Sequence, residues 1–146
     1  MSPFDAEILK RKLAVLVENL KALEPILGMR EEEYIRDLYK RKATERLLQE
    51  LIEAAIDINI HLIVQAERTP PDDYYESFIK AGELGIISAD LAIELAPSAG
   101  LRNRLVHEYD QLDHPVVLKA VDRAEKLYPR FVKEVNNYIE HMLKAE

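Results

Sequence analysis

Apolar residues near the N-terminus recur at alternating steps of four and three: Leu9, Leu13, Leu16, Leu20, Leu23 and Leu27. A helix advances about 100° per residue, so this spacing lays one leucine stripe along one side. Ser2 followed by Pro3 supplies an N-cap and a first-turn proline, and Asp5 stands where a capping box wants an acid. Pro25 and Gly28 end the segment. A second helical stretch opens at Arg30 or Glu31 and reaches about Arg68. Its length predicts a break near Lys40–Thr44, with Thr44 as cap. Beyond it, Leu47, Leu51, Ala54, Ile58 and Leu62 line one side while Leu48, Ile52, Ile56, Ile60 and Ile63 line another. Two apolar sides predict a central helix packed on most of its circumference. Glu53, Asp57 and His61 form its remaining polar stripe.

Thr69-Pro70-Pro71-Asp72 excludes helix and predicts a loop. A short helix around Tyr74–Lys80, a turn at Gly82–Gly85 and a helix capped by Ser88 follow. Pro97 inside a helix would cost about 3 kcal/mol, so a break with Pro97 at a fresh first turn is cheaper. The restarted helix carries Leu101 to about Tyr109. Asp113-His114-Pro115 repeats the cap-plus-proline start. The last helix has Val117, Val121, Ala124, Phe131, Val135, Tyr138 and Met142 as its spine, with Pro129 bending it. No stretch alternates long enough to make a strand. The prediction is all-α: an antiparallel four-helix bundle with one or two short additional helices, in one domain spanning residues 1–146.

Composition narrows the chemistry. The 146 residues carry 20 Lys+Arg against 27 Asp+Glu, a formal charge of −7, and no cysteine. Disulfides, CxxC zinc sites and thiol nucleophiles are excluded. Phosphate neutralisation drives indiscriminate nucleic-acid coating, which an acidic total disfavours; a local basic site is still allowed. Four scattered glycines match neither phosphate-loop pattern. No apolar run approaches the ~20 residues of a membrane span, and the N-terminus lacks a signal-peptide layout, so a cytoplasmic protein without membrane attachment is expected.

Candidate chemistry concentrates in one segment. Arg102, Asn103, Arg104, His107 and Tyr109 place two guanidiniums, an amide, an imidazole and a phenol within eight positions. Histidine moves protons near neutral pH, and arginine matches phosphate oxygens with a two-pronged fork. These groups suit phosphodiester cleavage without metal. Asn103 and His107 lie close on the helix surface, and Arg102, Val106 and Tyr109 share another side. Arg102 and His107 are about 140° apart around the axis, so one straight helix does not make them converge. A symmetric dimer laying two copies of this helix together would bring both pairs around one groove. It would also supply a second imidazole for acid–base cleavage by 2′-hydroxyl attack. Residue types alone also allow a solvated helix face, with Glu108 pairing to Arg104 at i+4.

The run Arg102-Asn103-x-x-Val106-His107-Glu108-Tyr109 resembles the R-x4-H-x-Y signature of HepT-type toxins, within the HEPN superfamily of small helical ribonucleases. Glu50–Ile58, Pro71–Phe78 and Leu84–Ile87 resemble the family's central helix and middle segment. The resemblance implies a metal-independent endoribonuclease, the toxin of a type VII-like toxin–antitoxin system, acting as a homodimer with its motifs facing one another across a cleft. It implies that Arg102 polarises the scissile phosphate, His107 transfers the proton and Asn103 orients phosphate or imidazole. It implies that Tyr109 accepts AMP from a cognate minimal nucleotidyltransferase antitoxin, blocking RNA by charge and bulk. No cofactor or metal is implied. The competing class is a non-catalytic helical module that binds a partner protein or nucleotide through the dimer groove.

Remaining residues read more plainly. Glu53, Asp57 and His61 lack the spacing of HExxH or paired ExxH metal motifs. They are expected to bond within the bundle or line the cleft, with Asp57, like Arg104, a supporting residue. His114 reads as a cap or loop histidine and His141 as incidental. Tyr74, Tyr75 and Phe78 read first as packing. Lys40, Arg41, Lys42 and Arg46 alternate with acids and read as a solvated face.

Overall fold

Helix α1 spans Pro3–Leu23. The computed structural model describes residues 1–145, leaving aside the side chain of Phe4. Ser2 Oγ accepts the Asp5 backbone N–H at 3.2 Å and donates to Asp5 Oδ2 at 2.8 Å, closing the predicted cap. The Ser2 hydroxyl is the main reason the Asp5 carboxyl titrates below its ordinary value. Leu9, Leu13, Leu16, Leu20 and Leu23 are buried as the stripe requires, but Leu27 is exposed. The helix stops at Leu23 and passes into a 3-10 turn, Glu24–Ile26, around Pro25; Gly28 then turns the chain at φ +72°. The register is lost there, and Ile26 takes the buried place.

The second stretch divides into α2, Glu31–Arg36, and α3, Leu38–Glu67. The break lies at Asp37, not at Lys40–Thr44. Asp37 Oδ1 accepts the Lys40 N–H at 3.0 Å, and a carboxylate at a helix N-terminus also meets the positive end of the dipole. Thr44 sits fully buried inside α3 instead. After a loop over residues 68–73, α4 spans Tyr74–Glu83, capped by Asp73, and α5 spans Ala89–Leu95. Gly82, expected in the turn, belongs to α4. A Cβ there would lie 2.6 Å from Ala92 Cβ, so α4 and α5 cross too closely for any side chain. The turn itself uses Gly85 at φ +73°.

Pro97 separates α5 from α6, Ser98–His107, as expected. Tyr109, expected on that helix, lies beyond it in a 3-10 turn, Tyr109–Gln111. Helix α7 runs from His114 to Lys144 with Pro129 inside it, and Asp113 Oδ1 accepts the Val116 N–H at 3.2 Å. Its buried spine ends on Ile139, with Tyr138 and Met142 half-buried.

The bundle is all-α; no strand occurs among the described residues. Its four main elements are α1, α3, the interrupted α5–α6 segment and α7, with α2 and α4 as the short additions. Helix α3 is central, touching α1, α2, α4, α6 and α7. Asp5–His61 and Lys12–Asp57, both at 3.3 Å, and the Asn19 bond to the Leu47 carbonyl show that α1 and α3 run antiparallel. One contiguous apolar cluster takes residues from all seven α-helices. No helix is long and apolar enough to cross a membrane among the described residues. For the site, the consequence is that α3 carries Glu53 and Asp57 to where α4 and α6 meet.

Candidate active site

Arg102 is held by three neighbours. Its side chain is only 19% exposed, and Nε donates to Glu53 Oε1 at 3.2 Å. Gln49 Nε2, one turn earlier on α3, donates to the same oxygen at 3.0 Å and fixes the carboxylate. Arg102 Nη1 donates to Asn103 Oδ1 at 3.3 Å, and the guanidinium carbon stands 5.1 Å from the Tyr74 ring centroid. A charge-assisted hydrogen bond contributes about 1.5–3 kcal/mol when partly shielded, and a cation–π contact about 0.5–2 kcal/mol. Together these hold one rotamer of a side chain that would otherwise sample many. Glu53, Ile56, Asp57, Tyr74 and Arg102 bound a small cleft of about 140 Å³.

His107 stands in the opposite condition. It is the last residue of α6, exposed, and its side chain has no hydrogen bond, ion pair or ring contact among the described residues. Asn103, one turn before it, turns its amide oxygen to Arg102 and not to the imidazole. Among the described residues no hydrogen bond joins Arg102 to His107. Tyr109 is 62% exposed, two residues past the imidazole. Because it has left the helix, Tyr109 no longer shares the side occupied by Arg102 and Val106.

The other residues singled out by sequence fall as follows. Asp57 lines the Arg102 cleft, but its carboxylate binds Lys12. Glu53, Asp57 and His61 diverge to Arg102, Lys12 and Asp5, three partners on two helices, so they do not converge on a common ligand. Among the described residues no group of three or more His, Asp or Glu side chains is placed to hold a metal ion. Arg104 makes no ion pair with Glu108 among the described residues and faces a different cleft, between α5, α6 and α7. Phe78 is core, but Tyr74 and Tyr75 are 38% and 49% exposed. His114 opens α7 and meets Tyr34 edge-on at 6.4 Å. Burial raises the Tyr34 phenol to about 12. In the basic run on α3, Lys42 pairs with Glu45 at 3.4 Å and Arg46 with Glu50 at 3.0 Å, while Arg41 donates to the Ile35 backbone carbonyl.

Two features of the site escaped the sequence. The Glu53–Arg102 contact joins residues 49 apart, and no local pattern specifies it. The helix end after His107 did leave a signal: Arg104 and His107 are both basic and occupy the last turn, where cations meet the negative end of the dipole.

Comparison with known proteins follows the same line. A family model described as Ribonuclease HepT-like matches residues 16–135. A tRNA nuclease HepT of Aphanizomenon flos-aquae is 35% identical over 139 residues, 95% of each chain. An mRNA nuclease HepT of Shewanella oneidensis is 25% identical over 126 residues, 86% of this chain and 94% of the other. Among solved structures, the tri-AMPylated HEPN toxin of Shewanella oneidensis in complex with an MNT antitoxin shares the fold. Its TM-score is 0.80 at 24% identity, over 94% of this chain and 99% of that one.

Proposed function

The chain belongs to the HepT-like ribonuclease family, and from that premise we propose that it is a metal-independent endoribonuclease whose active site is completed only in a homodimer. The observation that carries this reading is the contrast along α6: Arg102 is clamped in a cleft while His107 projects unpartnered. Laying a second copy of α6 across the first brings a clamped arginine from one protomer to a free imidazole from the other. Residues 1–146 then act as one domain.

The chemistry is transesterification. One His107 takes the proton of an RNA 2′-hydroxyl, whose oxygen attacks the adjacent phosphorus; the P–O5′ bond breaks. The second copy's His107, as imidazolium, gives a proton to the leaving 5′-oxygen. The products are a 2′,3′-cyclic phosphate and a 5′-hydroxyl. Arg102 neutralises the charge gathering on the non-bridging oxygens. Glu53 is a positioning residue: it fixes Nε so that the remaining guanidinium edge faces substrate. Asn103 holds Nη1, and Asp57 supports the site from its edge; Arg104, on the other face of α6, takes no part in it.

Within the family reading, the chain is the toxin of a toxin–antitoxin pair, neutralised when a minimal nucleotidyltransferase attaches AMP to Tyr109. The exposed phenol two residues beyond His107 supports this. Phosphate added there lies beside the cleft and repels RNA.

The test is RNA cleavage by wild type, Arg102→Ala and His107→Ala with EDTA present. Activity in wild type alone is the expected result. Loss of wild-type activity in EDTA sinks metal independence. Tight partner binding without cleavage by any form favours the non-catalytic module. Tyr109→Phe should keep cleavage and gain no AMP by mass spectrometry when incubated with the partner enzyme and ATP.

A further inference from the structure

A second cleft, of about 280 Å³, opens on the far side of α6 from Arg102, between α5, α6 and α7. Arg102 and Arg104 are about 200° apart around the helix, so the two arginines serve different faces. The floor is apolar, with Leu48 and Ile52 reaching up from α3 and Leu101 and Leu127 forming walls. Three cations line it: Arg104 from α6, and Lys119 and Arg123 at i,i+4 on α7. Glu94 is the single carboxylate among the lining residues.

Those cations differ from the basic run at the start of α3. Lys40, Lys42 and Arg46 each have a carboxylate at 3.9, 3.4 and 3.0 Å. Arg104 and Lys119 have no ion-pair partner among the described residues, and Arg123 donates only to the Glu94 backbone carbonyl, at 3.2 Å. In a chain of charge −7, an unneutralised cationic mouth over an apolar floor is complementary to a ligand with an anionic group on an apolar body.

Size and chemistry narrow the ligand. A helix is about 10–12 Å across and cannot enter, whereas ligand pockets start near 300 Å³. Three cations match a phosphate better than a single carboxylate charge. An apolar floor rejects a bare sugar phosphate, whose hydroxyls would go unpaired, but accepts the flat face of a base. Inside the cleft Tyr128 Oη and Ser98 Oγ stand 2.9 Å apart, offering hydroxyl contacts to the ligand's polar edge.

We propose that this cleft binds a mononucleotide, base against the α3 floor and phosphate among Arg104, Lys119 and Arg123. The nucleotide has two sources: free in solution, or attached to this chain. A smaller groove of about 110 Å³ shares Leu101, Arg104 and Val116 with the cleft and reaches Glu108 and Gln111, which flank Tyr109. The attached source rests on the AMP modification proposed above; the free source does not.

The experiment titrates AMP into the full-length protein, following amide resonances by NMR. Saturable binding below about 1 mM is expected, with shifts centred on Ser98, Leu101 and Lys119. Lys119→Ala and Arg123→Ala should each weaken it about tenfold, the loss of one charge-assisted contact. Ala120→Leu fills the cleft without altering charge and should abolish it. Circular dichroism verifies that each variant is folded; alanine and leucine both favour helix. Adenosine and inorganic phosphate should each bind more weakly than AMP. Absence of saturable AMP binding, or binding that none of the three variants alters, overturns the proposal. So do shifts centred on Arg102.

A second arm uses protein carrying AMP on Tyr109. If those resonances already occupy their AMP-bound positions and added AMP has no effect, the attached nucleotide fills the cleft. If added AMP still binds, the cleft serves free nucleotide. Failure to modify Tyr109 overturns the antitoxin reading and leaves the first arm standing.

Discussion

The two ends of α6 are built to different standards. At Arg102 the helix packs on α3, and the guanidinium finds a carboxylate, an amide oxygen and an aromatic face within one chain. At His107 the helix runs out into solvent, and its side chain meets nothing among the described residues. The fold of a single copy therefore preorganises the half of the site proposed to bind phosphate and leaves the half proposed to transfer a proton unsupported. Enzymes that rely on acid–base chemistry orient the imidazole as well as the cation. On the proposed mechanism, a second copy of the chain supplies the missing orientation.

Activity and stability should separate these two ends. Either Arg102→Ala or His107→Ala is expected to reduce RNA cleavage by about 10²- to 10⁴-fold, the range for losing a proton-transfer or charge-stabilising group. Thermal denaturation should tell them apart. His107→Ala removes an exposed, unpartnered side chain and should leave Tm unchanged. Arg102→Ala strands Glu53 in a half-buried cleft and should cost about 1–2 kcal/mol.

Glu53→Gln is the next largest. Gln retains an acceptor for Nε but removes the charge, so kcat should fall about three- to tenfold. The pH dependence set by the histidines should be unchanged, since the carboxylate acts on the arginine alone. A purely structural role would lower Tm without touching kcat. Tyr74→Phe keeps the ring over the guanidinium and should be near neutral, whereas Tyr74→Ala should lower stability by about 0.5–1 kcal/mol.

The smallest effect lies away from both ends. The Asp5 carboxyl titrates below its ordinary value, chiefly through the Ser2 hydroxyl and also through His61. A depressed folded-state value means that the contribution is full above the unfolded value, about 3.9, and is lost as pH falls through the lower folded one. Below about pH 4, hydrogen exchange should therefore quicken in the first turn of α1 before it does in α6. Simultaneous loss in both would show that the cap has no separate role.

What sequence reveals about this molecule follows the range of the interactions. Caps are local, and Ser2, Asp113 and the prolines beside them were legible because a hydroxyl or carboxylate three residues from an N–H has few other uses. The α2–α3 break was anticipated but displaced, because Thr44 competes with Asp37 as a cap on paper and only burial decides between them. Leu27 failed for a related reason: periodicity has no knowledge of where a proline ends the helix that carries it. The chemistry-bearing segment from Arg102 to Tyr109 stood out by composition. Its geometry did not, since Glu53 reaches Arg102 across 49 residues, and the divergence of Arg104 to the α7 side is set by tertiary packing. Tyr109 was placed on the helix because nothing near it forbids helix. The basic last turn before it was the available hint.

The central claim is that one working site draws on both copies of the chain, each supplying an imidazole to the same cleavage. Wild-type protein mixed with tagged His107→Ala protein, after subunit exchange and purification of the mixed dimer, puts this to the test directly. The mixed dimer keeps both arginines but only one imidazole, so its RNA cleavage should fall by about 10²-fold or more from wild type. If the mixed dimer, verified by native mass spectrometry, keeps about half of wild-type activity, each copy carries its own site and a site shared across the dimer is contradicted.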